Sequence, residues 1–147
     1  MSKIRIDEAD QLQVRDVLHA KLSSLDASAT IADVRAYFDA SRSRRQAFLL
    51  DDGRYVGSIT PALLEGQDPE RLAVEVADVQ RTLGLDAPAT TARDLALQTD
   101  RRRVPIVDAD EKLVGVIAVT GDLTSFCGTT ERRPEMLERA ERADAAA

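Results

Sequence analysis

The chain carries one pattern twice, and that duplication constrains its fold more than any other feature. Leu25-Asp26-Ala27-Ser28-Ala29-Thr30-Ile31-Ala32 returns sixty positions later as Leu85-Asp86-Ala87-Pro88-Ala89-Thr90-Thr91-Ala92. Val-x-Asp-Val precedes each copy, as Val14 to Val17 and Val76 to Val79. An apolar run closed by Asp follows each, Phe48-Leu49-Leu50-Asp51 and Pro105-Ile106-Val107-Asp108. Both copies then reach Val-Gly-x-Ile, at Val56 to Ile59 and Val114 to Ile117. Four landmarks in one order define a repeated unit of about sixty residues. Two such units are expected to pack together, with a ligand at the seam.

A unit of about sixty residues buries too little surface to be more than marginal alone, and a partner unit supplies what it lacks. The 147 residues therefore suit two small units sharing a core. Aromatic content is 3%, so that core must come from Ala, Val, Leu and Ile. A net charge of -6 repels phosphate backbones and argues against nucleic acid as partner. One cysteine, Cys127, excludes an internal disulfide framework, and with the one histidine, His19, it cannot complete a structural zinc site. No apolar stretch reaches the length of a membrane span, and the N-terminus has no signal-peptide core. A cytoplasmic location is expected.

Local patterns divide the chain into a polar arm over residues 1–13, a first repeat over 14–66, a linker over 67–73, a second repeat over 74–128 and a charged tail over 129–147. Thr30 with Asp33 forms the signature of a capped helix. Ile31, Val34, Ala36, Tyr37 and Phe38 then give that helix an apolar face, and Arg42, Arg44 and Arg45 suit its negative pole. Thr90 is expected to cap the matching helix. Asp51-Asp52-Gly53-Arg54 reads as a tight hairpin turn, and Pro61 as the end of the returning strand or the first turn of a helix through Leu64. The tail from Thr129 reads as an exposed helix. Each repeat is thus α/β, in the order β-α-β-β-α.

These residues resemble a tandem pair of CBS domains, the arrangement called a Bateman module. The likeness rests on Val76-Ala77-Asp78-Val79, on Asp86 to Thr90, and on Arg103-Val104-Pro105-Ile106-Val107-Asp108 leading to Leu113-Val114-Gly115-Val116-Ile117. It implies two β-α-β-β-α repeats related by a pseudo-twofold axis, with sheets packed together. It further implies a homodimer, an adenosine-containing ligand such as AMP, ADP, ATP or S-adenosylmethionine in the cleft between repeats, and a regulated protein partner. No catalysis is implied.

In ligand-binding members the return strand ends Gly-h-h-Thr/Ser-x-x-Asp, with h apolar. The hydroxyl meets phosphate and the carboxylate meets the ribose diol. The first repeat, Gly57-Ser58-Ile59-Thr60-Pro61-Ala62-Leu63, keeps the hydroxyls of Ser58 and Thr60 but puts Leu at the acid's place. In the second repeat Thr120 and Asp122 fall two and one positions late after Gly115. Either a bulge restores them or the site has degenerated. Arg103, directly before the strand that holds Pro105, stands where a guanidinium could clamp phosphate, with Arg101 and Arg102 beside it. Helix-end solvation is the structural alternative for these arginines. A Thr90 hydroxyl could also face a ligand.

Nothing in the pattern pairs a nucleophile with a base or forms a phosphate loop, so an enzyme is the weakest class. His19 reads as incidental, Cys127 as a small apolar filler, and Asp108 and Asp110 as turn formers. Two readings remain: a sensor of adenosine-containing ligands, or a dimerising adaptor whose sites have decayed.

Overall fold

The computed structural model describes residues 4–20 and 24–127, and the tail reading from residue 129 lies outside them. The described chain is mixed α/β and separates into two compact units. One comprises residues 24–81 with 109–113, and the other residues 4–20, 82–108 and 114–127.

In the first of these, β1 (Ser24–Asp26) runs parallel to β2 (Ala47–Asp51), which pairs antiparallel with β3 (Arg54–Ile59). The hairpin turns on Asp52 and Gly53 with φ of 52° and 82°, the doubly left-handed geometry that Asp-Gly adopts readily. The far edge of β3 is closed by Asp78, which exchanges two backbone hydrogen bonds with Ser58 at 2.7 and 2.9 Å. The helix Ile31–Asp39 (α2) buries Ile31 and Val34 against Leu49, Ile59 and Leu64, while Ala36 faces solvent rather than joining the apolar face. Arg44 donates to the Tyr37 carbonyl at 3.0 Å and covers the Tyr37 ring at 4.4 Å, so it serves the helix C-terminus. Pro61–Leu64 is a 3-10 helix with its proline in the first turn.

The other unit has the same plan. Leu83 makes a parallel bridge to Ile106 of β4 (Arg103–Val107), and β4 pairs with β5 (Leu113–Ala118). His19 closes the far edge of β5, exchanging bonds with Val116 at 2.9 and 3.0 Å. The helix Ala89–Leu97 (α3) lays Ala89, Ala92 and Ala96 on Val104, Ile106 and Ile117. Ile4, Ala9, Leu12, Val14 and Val17 complete this core, and Phe126, fully buried, is its one aromatic. The polar arm is therefore tied down: a 3-10 helix spans Ile6–Gln11, and α1 (Val14–Val17) follows.

Hydrogen bonds set a repeat register different from the one the octamers suggest. Ala29 donates to Asp26 and accepts from Ala73, as Ala87 donates to Gly84 and accepts from Val14. Ile31 donates to Arg71 as Ala89 donates to Leu12. The two nine-residue helices start at Ile31 and Ala89, fifty-eight positions apart rather than sixty. Pro88, not Thr90, is consequently the N-cap of α3. Its fixed φ of -61° and extended ψ start the helix early, and its carbonyl accepts from Ala92 at 3.3 Å. Arg93 also stands three residues after Thr90, where Asp33 follows Thr30, and a guanidinium cannot reciprocate a capping box.

The Val-x-Asp-Val pair is likewise not structurally equivalent. Asp16 is 2% exposed and accepts from the Gln13 amide at 2.8 Å, whereas Asp78 is exposed and sits at the sheet edge, where the other unit has His19.

Thr30 is a reciprocal cap: its hydroxyl accepts from the Asp33 amide at 3.2 Å, and Asp33 accepts from the Thr30 amide at 2.9 Å. Replacing Thr30 by Ala is expected to cost about 1 kcal/mol, while Thr90→Ala, in the first turn of a helix it does not cap, should change stability by less than about 0.5 kcal/mol. Paired denaturant melts check the contrast, and equal losses would contradict it.

Candidate functional site

Two of the second repeat's candidate residues, Thr120 and Asp122, lie where β5 ends. Val119 bridges Phe126, and residues 120–125 form a closed loop between them. Thr120 donates its amide to the Ser125 carbonyl at 2.9 Å, and its hydroxyl accepts from the Ser125 amide at 3.2 Å. The same hydroxyl donates to Asp122 Oδ1 at 2.6 Å. That oxygen also accepts from the Thr124 hydroxyl at 2.8 Å and the Thr124 amide at 3.2 Å. Thr120 and Asp122 are thus brought together, with their side chains bonded to each other in the loop beyond β5.

Arg102 lies beside this loop. Its φ is 53°, a left-handed conformation uncommon for a long side chain, and its carbonyl accepts from the Val119 amide at 3.0 Å. Its Nη2 is 3.8 Å from where a Cβ on Gly121 would stand, so the bare glycine leaves the guanidinium close to the loop backbone. Its Nε is buried with no hydrogen-bond partner among the described residues. Arg103, by contrast, opens β4 half-buried, and its amide donates to the Thr99 hydroxyl at 3.1 Å. Pro105 is buried within β4 and gives its carbonyl to Leu83. Thr90 is half-buried in the first turn of α3.

The first repeat's hydroxyls belong to the other unit. Ser58 is 2% exposed; its Oγ donates to Gln80 Oε1 at 2.7 Å and lies 2.7 Å from Tyr55 Oη. Gln80 Oε1 accepts also from Gln46 Nε2 at 3.0 Å, and the Gln80 amide donates to Tyr55 Oη. Burial pushes the Tyr55 phenol above its ordinary pKa, with the hydrogen bonds from Ser58 and Gln80 opposing that rise. The Ser58 hydroxyl therefore links a buried polar chain. Thr60 precedes the 3-10 helix and makes no side-chain cap bond. Tyr55, Gln46 and Gln80 carry no sequence signal for this network, because their convergence depends on Asp78 pairing with β3.

His19 acts through its backbone at the sheet edge, and the half-buried Cys127 donates its amide to Ala118 at 2.7 Å. Among the described residues no three His, Cys, Asp or Glu side chains converge as a metal site, and no helix is long and apolar enough to cross a membrane.

Residues 76–120 match the family model of the CBS domain. That stretch lies within the second repeat and is similar to a CBS domain. Solved structures share the fold of a CBS pair across most of the chain. CBSX2, a CBS-pair protein from Arabidopsis thaliana, matches at TM-score 0.64 and 17% identity, covering 92% of this chain and 98% of that one. A CBS domain pair/ACT domain protein from Thermotoga maritima matches at TM-score 0.62 and 16% identity, covering 92% and 100%. The cytosolic domain of the Mg2+ channel MgtE, in complex with ATP, matches at 0.59 and 18%, covering 67% of this chain and 42% of that one. The chain likewise spans 55% of protein MJ1004 from M. jannaschii. No curated protein matches it in sequence.

In this CBS fold the Asp122 loop has a predictable pH response. Bonds from Thr120, and then from Thr124, hold the Asp122 carboxyl below its ordinary pKa. A depressed folded-state pKa contributes stability above the unfolded value of about 3.9, and that contribution is lost as pH falls through the folded value. The Asp122 carboxyl resonance should titrate below the usual aspartate range, and Thr120→Val should raise its midpoint. An ordinary midpoint in the unsubstituted chain would contradict the loop geometry.

Proposed function

We propose that this CBS-pair chain is a regulatory module of the cytoplasm. It binds an adenosine-containing ligand beside the 120–125 loop, associates with a second copy and acts on a protein partner by binding rather than by catalysis. The observation that carries the ligand reading is Arg102, with a buried, unpartnered Nε and its guanidinium against Gly121 beside Thr120 and Asp122. A guanidinium beside the loop suits a phosphate or carboxylate group, because it offers a fixed fork of donors. The MgtE domain, a neighbour in fold, was solved with ATP.

The ligand-free adaptor is supported by a different observation. Asp122 Oδ1 already accepts three hydrogen bonds from its own loop, which leaves only Oδ2 to a ribose diol. Isothermal calorimetry with AMP, ADP, ATP and S-adenosylmethionine separates the two. The ligand reading expects heat with at least one of them and about a tenfold or larger loss of affinity in Arg102→Ala, the effect of removing a charge-assisted contact. Heat with none overturns it in favour of the adaptor.

A further inference from the structure

We propose that the first residues of the arm, Ile4 to Ile6, form a latch on the 120–125 loop, and that a ligand contact to the Thr120 hydroxyl opens it. The latch rests on the ligand reading above and gives that site its output. Residues 124–126 lie between the arm and the end of β5. On the arm side, Arg5 bridges Ser125, the Ile6 amide donates to the Thr124 carbonyl at 3.0 Å, and the Phe126 amide donates to the Ile4 carbonyl at 2.9 Å. On the loop side, the Ser125 amide donates to the Thr120 hydroxyl at 3.2 Å, and the Ser125 carbonyl accepts from the Thr120 amide at 2.9 Å.

These bonds meet in two successive peptide units. The unit joining Thr124 to Ser125 holds the arm by its carbonyl and Thr120 by its N–H. The unit joining Ser125 to Phe126 holds Thr120 by its carbonyl and the arm by its N–H. A peptide unit is planar and stiff, so tilting one end tilts the other. Movement at Thr120 is thereby passed to the arm. The Thr120 hydroxyl has one hydrogen to give, and it goes to Asp122 Oδ1 at 2.6 Å. A ligand oxygen that takes this hydrogen displaces Asp122, which fixes the Thr120 side chain and also holds the Thr124 amide and hydroxyl. The disturbance therefore reaches both peptide units. Beyond the latch the arm stays anchored, because Arg93 of α3 donates to the Ile6 carbonyl at 3.0 Å and the Ala89 amide to the Leu12 carbonyl at 2.9 Å. Opening uncovers Ile4, whose side chain is 1% exposed when the latch is shut.

Amide hydrogen exchange of the full chain tests the latch. The amides of Val14 and Ala89, bonded to Ala87 and Leu12 in the same core, serve as references for general loosening. Thr120→Val removes the hydroxyl and keeps the branched shape. It should speed exchange at Ile6 and Phe126 about fivefold or more relative to the references. Saturation with whichever of AMP, ADP, ATP or S-adenosylmethionine gives heat in calorimetry should do the same. Coupling is reciprocal, so Ile6→Pro should bind that ligand about fivefold more tightly. Proline suits the position, since Ile6 opens a 3-10 helix and Arg5 before it is extended, with φ of -76° and ψ of 150°. Ile6→Ala, which trims the side chain and keeps the amide, should bind like the unsubstituted chain. If Thr120→Val leaves Ile6 and Phe126 in step with the references, the latch is overturned whether or not a ligand binds. A bound ligand that leaves both amides as slow as before also overturns it. A clear Thr120→Val effect with heat from none of the four ligands overturns the ligand reading and leaves the coupling of loop and arm standing.

Discussion

Removing residues 1–20 is expected to unfold the unit that carries the second repeat while sparing the one that carries the first. The arm and α1 contribute Ile4, Ala9, Leu12, Val14 and Val17 to the core built on α3, β4 and β5, and none of these is more than 9% exposed. Burying each large aliphatic side chain contributes about 1.5–3 kcal/mol. Losing Ile4, Leu12, Val14 and Val17 together therefore approaches the whole stability of a small domain, about 5–15 kcal/mol. The truncation also removes the His19 pairing with Val116, the bond from Ala89 to Leu12, and the Arg93 contact to the Ile6 carbonyl at 3.0 Å. Amide spectra should lose their dispersion for residues 82–108 and 114–127 and keep it for 24–81. A truncated chain with full dispersion would show that the arm is dispensable. By the same reasoning, residues 74–128 alone, the second repeat as the sequence bounds it, should not fold.

Gly115→Val is the second large effect. A Cβ on Gly115 would stand 2.7 Å from Leu18 Cδ1 and 2.9 Å from the His19 carbonyl oxygen, closer than van der Waals contact permits. Leu18 could turn aside, but the carbonyl is fixed by its bond to the Val116 amide at 3.0 Å. Overpacking of this kind costs about 1–3 kcal/mol for a small increment, and a branched side chain should exceed it. Gly57 faces the same problem in the other unit, where its Cβ would fall 2.7 Å from Ala77 Cβ. Denaturant melts should place Gly115→Val well below the unsubstituted chain, with Gly115→Ala between them. A neutral Gly115→Val would mean that the crossing segment does not pack as described.

Those glycines show how much of the fold was legible. Val-Gly-x-Ile stands out twice in the sequence, and the reason for its glycine is the close crossing of a segment from the other sequence repeat. Asp52-Gly53, Thr30 with Asp33, and Pro61 each encode their own geometry within a few residues, and the structure has a left-handed turn, a reciprocal cap and a short helix there. The octamers misled by two positions because tertiary bonds, Ala29 with Ala73 and Ala87 with Val14, decide where each helix begins. Val14-Arg15-Asp16-Val17 and Val76-Ala77-Asp78-Val79 match in letters while one forms a helical turn and the other a sheet edge. The site was legible to a similar depth. Thr120 and Asp122 could be picked out by type and spacing, but their bonding to each other could not. Arg102 was visible only as a neighbour of Arg103, since its left-handed φ and its approach to Gly121 follow from the Thr99 and Val119 hydrogen bonds.

The central proposal is that the second repeat reads an adenosine-containing ligand at the 120–125 loop. The most direct measurement is amide chemical-shift mapping of the full chain titrated with AMP, ADP, ATP and S-adenosylmethionine. Binding as proposed shifts Arg102 and the amides of Thr120 to Ser125 saturably, and Arg102→Ala raises the ligand concentration needed about tenfold or more. Saturable shifts confined to residues elsewhere, or none with any of the four ligands, would contradict it.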